Sequence, residues 1–426
     1  MNQPGGLARE LGLWEVTLSG VGIIFGAGIY ALIGVAAGEA GNAVWLAFAL
    51  SAAAALFTAL SYAELSSLYP RAGAEYEYTA EAAGDYLAFV VGWLIIFSGI
   101  IAAAAVALGF ANYFTALTGA PVIPVAALLL VAVMVLLLIG IRESTLVAVV
   151  FTLIEAGGLL LIIIAGIPYL GSVDYLEMPL GLPGVFTAAA LVFFAFLGFE
   201  EMVKFSEETV DPEKTVPKAL LLALVICTVL YILVSISAVS VIGWEGLAAS
   251  DAPFNAVATA IWGEAGAFAL SVIALFATAN TVLLLLLAAS RISYGMARSG
   301  SLPRSLSRVH LTRQTPFVAV IAVTLGAFLF LFLGDIGVVA NVTNFTLFVT
   351  FAVVNGAVIL LRLKSPSLPR PFTVPGAIRA VPIIPVLGIL SCAFLFVQLT
   401  VEVIAIGGLL TIAGCVAALF AGRRTG

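Results

Sequence analysis

Charge is what this sequence has least of. Only 9% of its 426 residues are Asp, Glu, Lys or Arg, against about 25% in an ordinary soluble domain, while 63% are apolar. Such a chain cannot cover a water-facing surface, which excludes a soluble protein and points to an all-α polytopic membrane protein. Histidine is nearly absent, since His310 stands alone in a basic loop. With one histidine, placed in a basic loop, neither a zinc site nor a Ser-His-Asp arrangement is expected. The three cysteines, Cys227, Cys392 and Cys415, each sit in apolar stretches and suggest neither a metal cluster nor a disulfide framework. A Gly-Lys-Thr/Ser phosphate loop is missing too, so ATP-driven transport would need a partner. No metal, cofactor, nucleic acid or enzymatic activity is expected. The net charge of −6 says little about partners, because the charges are sorted by side rather than spread over one surface.

What the chain does have is long apolar runs. Read in windows of about 17–25 residues, they give about twelve transmembrane helices, at 12–38, 42–69, 84–117, 121–141, 145–170, 184–206, 217–243, 264–297, 316–334, 337–363, 380–400 and 402–422. The segment Met1 to Leu11 has no cleavable-signal pattern, and the first span is expected to remain in the mature protein. With a cytoplasmic N-terminus, all seventeen Lys and Arg residues, from Arg9 to Arg424, fall at the inner side. The opposite loops carry only acids: Glu39, Asp174, Glu177, Glu245, Asp251, Asp335 and Glu402. The positive-inside rule therefore predicts a multi-pass protein of the cell membrane (plasma or inner) with both termini cytoplasmic. Residues 244–263, with Trp244, Asp251, Pro253 and Trp262, read as an external loop bearing a short surface helix, a candidate lid. Residues 298–315 read as a basic cytoplasmic connection. Pro366, Pro369, Pro371 and Pro375 then separate a ten-span core from a two-span annex.

Two spans are irregular. The first contains Gly20-Val21-Gly22-Ile23-Ile24-Phe25-Gly26-Ala27-Gly28-Ile29-Tyr30 and then Gly34. Glycine inside a helix costs roughly 1 kcal/mol against alanine, so the cluster has a reason. One reading is close helix packing in lipid; the other is a broken helix whose opened backbone binds a ligand at mid-membrane. The sixth span carries Phe193-Phe194-Ala195-Phe196-Leu197-Gly198-Phe199-Glu200-Glu201, a glycine among aromatics followed by two carboxylates. The first and sixth spans hold corresponding places in two sets of five, and since five is odd, consecutive sets insert with opposite topology. The expected division is 1–183 (helices 1–5), 184–365 (helices 6–10) and 366–426 (helices 11–12).

The first motif resembles the signature of the amino acid–polyamine–organocation superfamily. Phe193 to Glu200, with Glu207-Glu208 and Pro212, is similar to its sixth-helix motif. The run Ser290-Arg291-Ile292-Ser293-Tyr294-Gly295-Met296-Ala297-Arg298-Ser299-Gly300-Ser301-Leu302-Pro303 resembles the motif that ends its eighth helix. The resemblance covers nearly the whole chain. It implies a LeuT-like five-plus-five inverted repeat with broken helices 1 and 6, alternating access, and transport of amino acids or related amines.

An amino acid buried at mid-bilayer needs partners for its carboxylate and its ammonium. No Lys or Arg stands at mid-depth in the spans for the carboxylate, so the opened N–H groups at Gly26, Ala27 and Gly28, at the positive end of a half-helix, are expected to take it. Carbonyls at Ile23, Ile24 and along Phe194, Ala195, Phe196 and Leu197 are expected to take the ammonium, and the resemblance supports both assignments. Phe194 falls where family members place a gate, whereas Phe199 reads as packing. Glu155 lies about 15 Å into the fifth span at 1.5 Å per residue. A carboxylate there is costly when ionised and suits a proton carrier; the other reading is a protonated glutamate bonded between helices. Proton-coupled relatives put a lysine near this point, a cation that a glutamate cannot imitate. Glu200 matches an acidic position that some members use to sense pH. Glu201 reads as solvated near Lys204, and Glu64 as a salt-bridge residue at the inner end of the second span. Thr278 and Asn280 are candidate polar contacts in the eighth span, and Val282 to Ala289 offer no hydroxyl for a sodium site.

The expected function is secondary transport of a small or apolar neutral amino acid, with protons as a candidate coupling ion. An exchanger, or a transporter of cationic amino acids or polyamines with Glu200 as counter-charge, is the alternative. A transporter-like sensor is the rival from another class, but the short tails leave little to signal with. A channel would need a continuous polar lining, which the spans lack.

Overall fold

The computed structural model describes residues 11–70, 74–139, 141–207, 209–298, 300–310, 313, 315–332, 335–378 and 381–421. Of the residues read above, Arg9, Arg71, Glu208, Ser299, Arg379 and Arg424 lie outside them, as do the side chains of Ala27, Arg142, Lys204 and Glu207.

Because lipid offers no hydrogen bonds, every buried peptide group must be satisfied within the chain, and nearly all of it is helical. The helices are α1 (Leu13–Ile24), α2 (Ala27–Ala40), α3 (Val44–Leu68), α4 (Ala74–Ala83), α5 (Asp85–Thr118), α6 (Val122–Ile139), α7 (Ile141–Gly166), α8 (Gly181–Val192), α9 (Pro212–Ala248), α10 (Pro253–Arg298), α11 (Phe317–Leu331), α12 (Ile336–Lys364), α13 (Ile383–Phe396) and α14 (Val401–Ala421). Nine segments among the described residues are long and apolar enough to cross a membrane, and α1, α11 and α13 are shorter apolar helices.

Three features depart from uniform spans. The first span is two helices, α1 and α2, parted at Phe25-Gly26. The sixth is α8 followed by 3-10 turns over Phe193–Phe196 and Phe199–Glu207. The segment between α9 and α10 is set off by kinks at Gly243 (φ 68°) and Gly263 (φ 69°), which part its two helical stretches from the long helices on either side. The sequence reading had placed a short surface helix there. Helix α4 is not among the expected spans, because Ala74-Glu75-Tyr76-Glu77-Tyr78 mixes charge and aromatics with no apolar run to read.

The packing recurs when the i-th helix of one set of five is exchanged for the i-th of the other. The pairs α3–α9, α5–α10 and α6–α11 each map onto themselves. The contact α7–α10 is mirrored by α12–α5, α6–α10 by α11–α5, α7–α9 by α12–α3, and α1–α9 by α8–α3. Outside this pattern, α13 packs on α3 and α12, and α14 on α5 and α12. A two-residue antiparallel ribbon, β1 (Ala377–Ile378) with β2 (Val381–Pro382), leads into α13.

Glu64, near the C-terminal end of α3, is the salt-bridge residue the sequence suggested. It is paired with Arg362 of α12, whose Nε donates to its Oε1 at 3.0 Å. Arg370 approaches the same oxygen at 3.3 Å, and the Val374 N–H donates to its Oε2 at 2.8 Å. One buried carboxylate thus fastens the proline-rich segment to two core helices.

Candidate functional site

At the first break the chain leaves helical geometry for two residues: Phe25 has ψ 105°, and Gly26 is fully extended at φ −148°, ψ −175°. Helix α2 restarts at Ala27, so the N–H groups of Ala27 and Gly28 sit at a helix N-terminus, the partially positive end. At the second break α8 tightens into a 3-10 turn, Leu197 swings to ψ 137°, and Gly198 takes φ +111°, a region that side-chain-bearing residues rarely enter.

The two breaks touch. A Cβ on Gly28 would collide with the Ala195 backbone and stand 2.8 Å from its Cβ, and one on Gly198 would stand 2.6 Å from Cγ2 and 2.9 Å from the carbonyl oxygen of Ile23. The remaining glycines of the motif also pack tightly, Gly22 against Thr152 and Gly34 against the Leu247 carbonyl and Pro253. Both readings of the glycine cluster therefore hold at once: the helix is broken, and small residues let its pieces be approached closely.

The residue that ties the breaks together is one that sequence reasoning missed. Tyr231, fully buried on α9, points its hydroxyl at the Ile24 carbonyl (2.7 Å) and at the Ala195 carbonyl (3.0 Å). Its ring is held by Phe25, Phe48 and Phe196. The available signal was a lone phenol in the apolar run Val229 to Leu233, since a buried hydroxyl must find a partner. Among the carbonyls expected to take an ammonium, Ile24 and Ala195 thus face one another across a single hydroxyl. The Phe194 carbonyl instead accepts from the Leu197 N–H at 3.2 Å and closes its own turn, and the Ile23 carbonyl faces Gly198.

The aromatics of the second break divide by direction. Phe193 and Phe199 pack on Phe351, with Phe199 also edge-on to Tyr62; for Phe199 this is the packing role the sequence suggested. Phe196 lies against Tyr231. Phe194 turns the other way and lines an apolar crevice with Ala31, Leu32, Ala105, Val106, Ile336 and Ala340.

Glu155 is fully buried on α7 and brought beside the first break. Its backbone carbonyl accepts from the Tyr30 hydroxyl at 3.0 Å. Both carboxylate oxygens lack a hydrogen-bond partner, as does Asn280 Oδ1. The Asn280 side chain faces the carboxylate from α10 without reaching hydrogen-bond geometry, while its Nδ2 donates to Thr152 Oγ1 at 3.1 Å. Thr278 is not joined to the breaks: its hydroxyl donates to the Ala274 carbonyl at 2.7 Å, one turn back on α10. The hydroxyl that α10 does bring is Thr281, whose Oγ1 would stand 3.0 Å from a Cβ on Gly26. It stands one residue before the hydroxyl-free stretch Val282 to Ala289. Glu200 is buried, and its Oε2 accepts from the Gly198 N–H at 2.9 Å. It pins the glycine that turns the second break.

Phe254 is buried edge-on against Tyr30 at 5.1 Å, and the Tyr113 hydroxyl, which accepts from the Phe254 N–H, donates to the Tyr30 carbonyl at 2.8 Å. Glu177 accepts from Asn42 Nδ2 (2.6 Å) and Trp244 Nε1 (3.3 Å), and Asn42 Oδ1 accepts the Trp244 N–H at 3.0 Å. These bonds latch the 244–262 segment to the turn after α2, to α5 and to the loop after α7.

A family model described as amino acid permease matches residues 11–420. A branched-chain amino acid permease, BcaP, of Bacillus subtilis is 36% identical, the match covering 92% of this chain and 88% of that one. A methylthioribose transporter of the same organism is 35% identical, over 92% and 89%. A vacuolar cationic amino acid transporter 4 of Arabidopsis thaliana is 32% identical, over 85% of this chain and 65% of its own longer one. With the family matched from the first broken helix through α14, the chain belongs to the amino acid permeases of the amino acid–polyamine–organocation superfamily, multi-pass membrane proteins that transport amino acids.

Proposed function

We propose that this permease carries a small or apolar neutral amino acid across the cell membrane by alternating access, with both termini cytoplasmic. On this reading about twelve spans divide into two inverted five-helix units, 1–183 and 184–365, and an annex, 366–426. The exchange-symmetric packing of the helices supports the LeuT-like repeat.

The observation that carries the reading is the Tyr231 hydroxyl set between the Ile24 and Ala195 carbonyls. A substrate ammonium is a stronger donor than a phenol and has three protons for those carbonyls. Its carboxylate then falls toward the N–H groups of Gly26, Ala27 and Gly28. The side chain is directed toward the crevice beside Phe194, which is closed in this structure and opens only if Phe194 moves; its walls are entirely apolar, which favours a neutral substrate, and the similar B. subtilis permease named for branched-chain amino acids is in line with this.

Phe194 serves as the gate between that crevice and the binding point. Phe194→Ala is expected to weaken apparent substrate affinity and to raise leak or exchange, read as KM for uptake and as efflux from preloaded vesicles. Transport unchanged on both counts would remove Phe194 from the mechanism.

Glu155 is the proton-coupling group, and Glu200 holds the second break in a proton-sensitive way. A buried carboxylate with no partner is costly when ionised, and a proton removes that cost. The same lack of a partner favours a second reading, a cationic substrate with Glu155 as counter-charge.

Radiolabelled uptake into proteoliposomes tests the whole proposal. A panel of neutral and cationic amino acids is offered under a proton gradient, a sodium gradient or internal amino acid. Wild type is expected to accumulate neutral substrates under the proton gradient. Glu155→Gln is expected to lose that drive while still exchanging internal for external substrate. Uptake that ignores both gradients and requires internal substrate makes the protein an exchanger and Glu155 structural. Preference for cationic substrates favours the second reading.

A further inference from the structure

A second concavity lies far from the breaks, on the face where the basic residues gather. It is a cleft of about 370 Å³ between the end of α6 and the start of α11, walled by Val135, Leu138, Ile139, Phe317 and Ile321 and rimmed by His310, Arg313 and Thr315. The walls open outward: Val135, Ile139 and Ile321 are 49%, 40% and 37% exposed, on helices that a bilayer surrounds.

Three donor features converge at the rim. Arg313 leans across the cleft so that its Nη1 donates to the Ile139 carbonyl at 3.2 Å, and among the described residues it has no carboxylate partner. Thr315 is 6% exposed, yet its hydroxyl has no hydrogen-bond partner. Helix α11 begins two residues later, at Phe317, so its partially positive N-terminus opens on the same place. An unpartnered buried hydroxyl, an arginine without a counter-ion and a helix N-terminus together describe a phosphate site. The apolar walls below it describe an acyl chain.

We propose that this cleft binds one anionic phospholipid, its phosphodiester held by Arg313, Thr315 and the start of α11, and one acyl chain lying along Val135, Ile139 and Ile321. Phosphate supplies the acceptor that Thr315 lacks and a counter-charge for Arg313, whose side chain among the described residues bonds only to a neutral carbonyl across the cleft. A zwitterionic lipid fills the walls equally well but brings its own cation to the rim, where Arg313 already stands.

The test is native mass spectrometry of the full-length protein, delipidated in detergent and then exposed to mixed micelles of phosphatidylglycerol and phosphatidylcholine of matched chain length. Wild type is expected to retain phosphatidylglycerol over phosphatidylcholine by about fivefold, the factor that one arginine near an anionic headgroup is worth. Arg313→Gln and Thr315→Val are expected to lose that preference, Arg313→Lys to keep part of it, and Arg308→Gln, outside the cleft, to keep all of it. Melting temperatures of the variants without lipid show whether they are folded. Equal retention of the two lipids by wild type overturns the proposal, as does undiminished preference in folded Arg313→Gln and Thr315→Val. Inorganic phosphate alone is a further arm: if it displaces phosphatidylglycerol completely at millimolar concentration, the cleft is a soluble-anion site and the lipid assignment fails.

Discussion

Gly28→Leu is expected to abolish substrate binding while leaving a folded, monodisperse protein. Gly28 is where the two chain breaks meet, and even one methyl group there collides with Ala195, 2.8 Å from its Cβ. Backbone faces backbone at this contact, so no flexible side chain can move aside. Overpacking a well-filled site costs about 1–3 kcal/mol for small additions, so Gly28→Ala is expected to weaken affinity about tenfold, and leucine to eliminate it. Gly26 offers a contrast. Its missing Cβ faces the Thr281 hydroxyl at 3.0 Å, and a side-chain end can rotate, so Gly26→Ala is expected to be the milder of the two alanine variants, though Gly26→Leu also abolishes binding. Equilibrium binding of labelled amino acid to purified protein checks the series. Intact affinity in Gly28→Leu would remove the first break from the binding site.

Tyr231→Phe is expected to give the second-largest effect, a rise in transport KM beside a modest fall in melting temperature. The substitution keeps the ring that Phe25, Phe48 and Phe196 hold and deletes only the oxygen between the Ile24 and Ala195 carbonyls. Leaving a buried polar group without its partner costs about 1–3 kcal/mol, a factor of roughly 5 to 150 in an equilibrium constant. The carbonyls are then no longer held in register for an ammonium, so the loss falls on substrate affinity. A purely structural tyrosine would behave differently, lowering the melting temperature and leaving KM alone. Tyr231→Ala, which also removes the ring packing, is expected to show both losses.

The sequence disclosed its breaks through local chemistry. Five glycines in one apolar run, and a glycine between aromatics and acids in another, violate helix propensity where lipid most demands a helix; the structure interrupts the chain at both. Glu64 was legible for a similar reason, since a carboxylate near a basic inner edge has a partner within reach. Helix α4 was not, because its residues carry no apolar period. Thr278 and Thr281 show the limit most plainly. Three residues apart on α10, they look alike in the sequence, yet one bonds only within its own helix and the other stands against Gly26.

By itself, then, the sequence determined where the chain is apolar, where it must cross, and where a helix cannot continue. Those properties depend on neighbouring residues and on a solvent that satisfies no peptide group. It could not determine which opened carbonyls converge. Tyr231 reaches Ile24 across 207 residues of chain and Ala195 across 36, and Glu155 faces Asn280 from a different helix. Such pairings are set by how rigid helices pack against one another, so only the tertiary structure decided that one phenol would sit between the two breaks and that one carboxylate would be left without a partner.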